Sequence, residues 1–135
     1  MYSETKVIVR YQETDRMGIV HHSVYPIWYE LARTEFIKQV GMTYSQMEEM
    51  GIMTPLVELQ CHYMHPANYE DELTVRVCIG KLTPARVEFH YEVYHNTLLL
   101  NTGITVHAWV GSDLHPMNMK KKFPSVYEKI QKAME

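Results

Sequence analysis

Residues 11–25 read YQETDRMGIVHHSVY. The stretch holds two acids, Glu13 and Asp15, then Gly18, then the adjacent pair His21 and His22. Each of these types has chemistry available to it. A carboxylate can attack a carbon or take a proton, an imidazole can carry a proton, and a glycine lets the backbone turn tightly or a ligand come close. A run that leads into a helix also lies beside unpaired N–H groups and the positive end of the helix dipole, which favour negative charge on a nearby oxygen. Plainer readings stand beside these. Asp15 can be a turn residue, Glu13 a solvated loop acid, His22 a partly buried ring and His21 a surface or interface residue.

The elements around the stretch decide what it can reach. Residues 25–40, YPIWYELARTEFIKQV, predict a helix, because Trp28, Ala32, Phe36 and Val40 recur every four positions and Tyr25, Tyr29 and Leu31 join them. Only Glu30, Arg33, Thr34 and Lys38 form a polar strip. Pro26 suits a first turn, Ser23 or Tyr25 would cap it, and Gly41 is a natural terminator. Upstream, 5–11 reads as a strand; downstream, a short helical turn over 44–50 ends at Gly51. The period then drops to two across 57–63, 73–79, 87–93 and 100–110, the last with Leu100, Ile104, Val106, Ala108 and Val110 on one side. Four successive strands joined by turns at HPANYEDE, GKLTPA and HNT predict an antiparallel sheet, and the tail KKKFPSVYEKIQKAME ends as an amphipathic helix. A helix so broadly apolar needs wrapping. A curved sheet around it, with leftover apolar surface against a second copy, meets that need. Neither repeats nor linkers divide the chain, which reads as one domain over 1–135.

Composition narrows the partners. A net charge of −3 argues against non-specific nucleic-acid binding, so any anionic ligand needs a local cluster of Lys or Arg. No run approaches the roughly 18 apolar residues of a membrane span, and the first ten residues carry no signal core. Cys61 and Cys78 lack metal-motif spacing and read as free thiols of a reducing, cytoplasmic compartment. His62 and His65 would diverge on a strand, so no metal is expected, and the ten methionines read as core filler.

Tyr11, Thr14, Asp15, Gly18, Val20, His22 and Tyr25, then ELART at 30–34, HPANYEDEL at 65–73 and Pro116, resemble the hotdog-fold acyl-CoA thioesterases. The nearest branch is the 4-hydroxybenzoyl-CoA thioesterase-like group that includes the Tol–Pal-associated enzymes. The similarity spans nearly the whole chain and departs at Glu13, where many members carry Asp. It implies an α+β hotdog fold, a curved antiparallel sheet wrapped around a long central helix. It further implies cofactor-free hydrolysis of acyl-CoA, with Asp15 as nucleophile or general base. The His22 N–H would bind the thioester carbonyl oxygen, and the His22 ring is a second candidate participant. Gly18 and Tyr25 would border the substrate, with the acyl group along the helix near Trp28 and Tyr29. Lys81, Arg86, Lys120, Lys121 and Lys122 are the candidate partners of the CoA phosphates, although a lysine run is ordinarily a solvated face. A homodimer or a dimer of dimers, a homotetramer, is expected. Two other readings share the fold: a dehydratase acting on CoA or acyl carrier protein substrates, and a catalytically silent acyl-binding or scaffold domain.

Overall fold

Helix α1 spans Tyr25–Val40, the range its four-residue spacing predicts. Pro26 sits in the first turn, and Gly41 closes the last one at φ 107°, its N–H on the carbonyls of Ile37 and Lys38. The helix buries Tyr25, Trp28, Tyr29, Ala32, Phe36 and Ile37. Its start differs from expectation. Neither Ser23 nor Tyr25 caps it; a 3₁₀ turn over His22–Val24 feeds straight into α1, and the His21 ring caps that turn by accepting from the Ser23 N–H.

The computed structural model describes residues 1–135. Its strands are β1 (Tyr2–Ile8), β2 (Leu56–Tyr63), β3 (Glu72–Leu82), β4 (Arg86–His95) and β5 (Leu98–Ala108). Helix α2 (Tyr44–Glu49) precedes β2, while α3 (Met119–Lys122) and α4 (Pro124–Lys132) form the tail. All five strands pair antiparallel in the order β1-β3-β4-β5-β2, curving around α1 in the hotdog fold.

Three expectations need correction. The strand read over 5–11 lies over Tyr2–Ile8, and residues 11–13 form a 3₁₀ turn instead. Residues 65–72 are not a hairpin turn, because β2 and β3 are not neighbours; this segment carries the chain from the β5 side of the sheet to the β1 side. As an edge strand, β2 leaves Leu59 42% and Tyr63 49% exposed. The third concerns β5 and the residues just after it: Leu100, Val106 and Val110 of the expected side are buried, but so are Asn101, Gly103, Thr105, His107 and Trp109, while Ile104 and Ala108 are only half-buried. A register shift between Val93 and Tyr94, opposite Leu99–Asn101, moves the strand by one residue, and a one-residue slip exchanges the two faces. The core otherwise follows the pattern: Leu73, Val75, Val77, Val87, Phe89, Tyr91 and Val93 are buried under α1. No helix is long and apolar enough to cross a membrane.

Candidate active site

The loop between β1 and α1 is held from several sides. Glu13, expected to be solvated, is 6% exposed. Its carboxylate accepts the Arg10 N–H at 2.8 Å and the Trp28 indole N–H at 3.2 Å, and its carbonyl accepts the His21 N–H at 2.9 Å. A glutamate side chain, longer than aspartate, thus ties the loop to the first turns of α1. Asp15 begins a tight turn. Its N–H donates to the Ile19 carbonyl, its carbonyl accepts from Gly18, and Gly18 adopts φ 84°, a conformation costly for other residues. One carboxylate oxygen, Oδ1, accepts the Met17 N–H at 2.8 Å. The other makes no hydrogen bond to the protein, so the turn fixes the Asp15 side chain and leaves one oxygen available. A bond from the Val20 N–H to the Ala67 carbonyl, 2.9 Å long, anchors the turn to the segment ahead of β3.

His22 follows at the head of the helix. The amides beside it are engaged: His21 with Glu13, Ser23 with the His21 ring, Val24 with the His21 carbonyl. The bonds of this loop do not use the His22 N–H. Across the gap, the Tyr63 hydroxyl of β2 donates to the His22 carbonyl at 2.9 Å, and its ring meets Tyr25 edge to face at 5.4 Å. That hydroxyl is desolvated where it meets the carbonyl, and burial, aided by Cys61, pushes it up to about 12, so Tyr63 stays a donor. Asp15, Gly18's neighbours Met17 and Ile19, His22, Tyr25, Tyr63 and His65 surround one open cavity of about 340 Å³. The sequence-derived Asp15, His22 and Tyr25 therefore meet in one place, and Gly18 shapes its wall. Tyr63, Glu13 and His21 complete the arrangement. Sequence reading passed over Tyr63 because it is one more aromatic in an alternating strand.

The basic residues lie elsewhere. Lys81 and Arg86 flank the β3–β4 turn with Glu58, Glu88 and Val106 around a cleft of about 250 Å³. Helix α3, which carries Lys120, Lys121 and Lys122, docks on the same turn through Met119 N–H to Pro84 carbonyl at 2.9 Å. Lys81 is nine residues along β3 from Glu72, roughly 30 Å at strand rise, so these cations sit at the far end of the sheet from Asp15. Trp28 points to the β1 side and its indole is taken by Glu13, which removes it from the cavity.

A polar network runs under α1. The Tyr29 hydroxyl bonds Asn101, whose amide reaches the His62 carbonyl at 3.0 Å. One turn on, Arg33 donates to the Tyr91 hydroxyl at 3.1 Å, Tyr91 meets Thr105 at 2.6 Å, and Thr105 meets His107 Nε2 at 2.9 Å. Burial, and then the Arg33 charge, lower His107 to about 4. No group of three or more His, Cys, Asp or Glu side chains is placed to hold a metal ion.

A family model described as the thioesterase-like superfamily matches residues 9–134. The chain belongs to this superfamily. YneP of Bacillus subtilis (strain 168), provisionally named an acyl-CoA thioesterase, is 34% identical over 135 residues, covering 96% of this chain and 98% of its own. The acyl-CoA thioesterase YbgC of Haemophilus influenzae is 26% identical over 127 residues, 93% of each chain. The crystal structure of a DHNA-CoA thioesterase from Staphylococcus aureus superimposes with a TM-score of 0.92 at 32% identity, covering 97% of this chain and 89% of the other. The hotdog thioesterase resemblance drawn from residues 11–34 and 65–73 holds at the level of the family and the fold.

Proposed function

We propose that this chain hydrolyses acyl-CoA thioesters at the cavity shared by Asp15 and the head of α1. One observation carries the reading: a carboxylate with a free oxygen and a backbone N–H without a partner border the same open space at a helix N-terminus. The thioester carbonyl oxygen accepts from the His22 N–H, and the dipole of α1 favours the charge that grows there. The free Asp15 oxygen then either attacks the acyl carbon or takes a proton from the water that does. In both routes the C–S bond breaks and coenzyme A leaves as the thiol. The water oxygen enters the acid when water attacks the acyl carbon, and enters Asp15 when water attacks the anhydride at the Asp15 carbon, whose own oxygen then leaves with the acid. Tyr63 holds the peptide that follows His22 and so positions the oxyanion donor. The names of the similar proteins favour this class over a dehydratase or a silent scaffold.

Asp15→Asn should keep the fold and lower kcat by about 10²–10⁴ in a thiol-release assay over a panel of acyl-CoAs. Undiminished turnover removes Asp15 from the mechanism. Single-turnover hydrolysis in ¹⁸O-labelled water separates the routes, since label in the Asp15 carboxylate requires an acyl anhydride on the enzyme.

A further inference from the structure

Arg33, the arginine of the ELART motif, is a half-buried cation that takes part in none of the molecule's ion pairs. It donates to the Tyr91 hydroxyl, and the Tyr44 hydroxyl also faces it. Phenol oxygens satisfy donors but do not neutralise charge. Burial works against the cation, the Tyr91 and Tyr44 hydroxyls more than offset it, and the guanidinium stays charged with no carboxylate paired to it, open to an anionic partner. Its place in the fold says what that is. Tyr25, Tyr29 and Arg33 follow at four-residue intervals along one stripe of α1, about 12 Å from first to last. The inner face of β2 presents Tyr63, Cys61 and Leu59 over a similar length, and the two rows are in step. Tyr63 touches Tyr25. Cys61 lies opposite Gly103, over which the Tyr29 ring packs. Leu59 lies opposite Thr105, which belongs to the Arg33 network. Tyr25 and Tyr29 are buried behind the β2 row, so the open surface of the resulting strip is that of β2, with Leu59 and Tyr63 over 40% exposed. It begins at Tyr25 and Tyr63, which border the Asp15 cavity, and ends at a positive charge.

We infer that the acyl group lies along this strip and that Arg33 binds a carboxylate at its far end, so that the enzyme favours monothioesters of dicarboxylic acids over fatty acyl-CoAs of the same length. This rests on the thioesterase reading and names its substrate class. The guanidinium fork is matched to a carboxylate, and an uncharged chain end would leave the cation as it stands.

The test compares suberoyl-CoA with octanoyl-CoA, and adipoyl-CoA with hexanoyl-CoA, on the wild-type protein. Expected is a kcat/KM at least tenfold higher for the carboxylated member of one pair, a ratio that collapses towards one in Arg33→Gln and partly returns in Arg33→Lys, which restores a cation. Equal values for both pairs in the wild type, with hydrolysis intact, overturn the inference and leave Arg33 to an acidic side chain of a second copy. Hydrolysis of none of the four esters overturns this inference, and it overturns the thioesterase reading as well when the wider acyl-CoA panel also releases no thiol.

Discussion

The hydroxyls between Arg33 and His107 can donate in only one direction. Arg33 has no acceptor, so Tyr91 accepts from it and donates onward to Thr105, which donates to His107 Nε2. The His107 proton must therefore sit on Nδ1, where the Thr54 carbonyl accepts it at 3.1 Å. A second proton would reverse the chain and add a buried charge near Arg33, which accounts for a pKa of about 4 in place of 6.5. The consequence for stability has a definite sign. Above pH 6.5 the ring is neutral in both folded and unfolded chains and costs nothing. Between 6.5 and 4 only the unfolded chain takes the proton, so stability falls with pH. The loss levels off below 4 at about 3 kcal/mol, the 2.5-unit gap at about 1.4 kcal/mol per unit. Urea midpoints measured from pH 8 to 4.5 should decline below 6.5, and His107→Gln should flatten that decline. A wild-type profile without it contradicts the neutral, Nδ1-protonated assignment. The same residue scale shows what composition conceals. Glu13 looks like any loop acid, yet the indole of a residue 15 positions later selects it as a buried acceptor.

At the scale of elements, the contact of α1 with β5 turns on Gly103. A Cβ there would lie inside the van der Waals envelope of the Tyr29 ring. That ring cannot swing away, since it stacks on Tyr91 at 4.3 Å and its hydroxyl is bound by Asn101. Gly103→Ala should therefore destabilise by about 1–3 kcal/mol, the usual cost of overpacking, readable as a lower thermal midpoint; an unchanged midpoint would falsify the packing argument. This pair also explains which elements the sequence reveals. Helix α1 is legible because Trp28, Ala32 and Phe36 are buried on their own account, and so are β3 and β4, whose alternation has only one apolar solution. The face of β5 is not, because aromatic hydroxyls above it demand Asn101 and Thr105 as partners, and a bulge shifts the register without a mark in composition. Nor is strand order, since β2 alternates like its neighbours while lying at an edge. That Asp15, Gly18 and His22 lie close together was legible through the family resemblance, because the turn and the helix entry that hold them are local in the chain. Tyr63 was not, because its role depends on β2 reaching the head of α1.

The whole molecule leaves two needs unmet within one chain. The outer edge of β2 carries unpaired backbone groups beside exposed Leu56, Val57 and Leu59, a combination that invites pairing with another strand. The Asp15 cavity, for its part, has no Lys or Arg in its wall, while the cations of the β3–β4 turn and α3 lie at the opposite end of the sheet. A coenzyme bound at Asp15 meets them only if a second copy supplies them. One arrangement answers both needs: antiparallel pairing through β2 sets two sheets edge to edge in opposite directions, so that one chain's basic end is carried towards the other's Asp15 end. Light scattering should then report a dimer or a multiple of it. Leu56→Lys with Val57→Lys should shift the protein to monomer and raise KM for a CoA ester more than for the N-acetylcysteamine ester of the same acid, which lacks the nucleotide. Replacing Lys120, Lys121 and Lys122 with Gln in the intact oligomer should reproduce the difference between the two esters. Equal changes for both esters would assign the lysines to a solvated face, and a monomer that keeps its KM for the CoA ester would place every phosphate contact within a single chain.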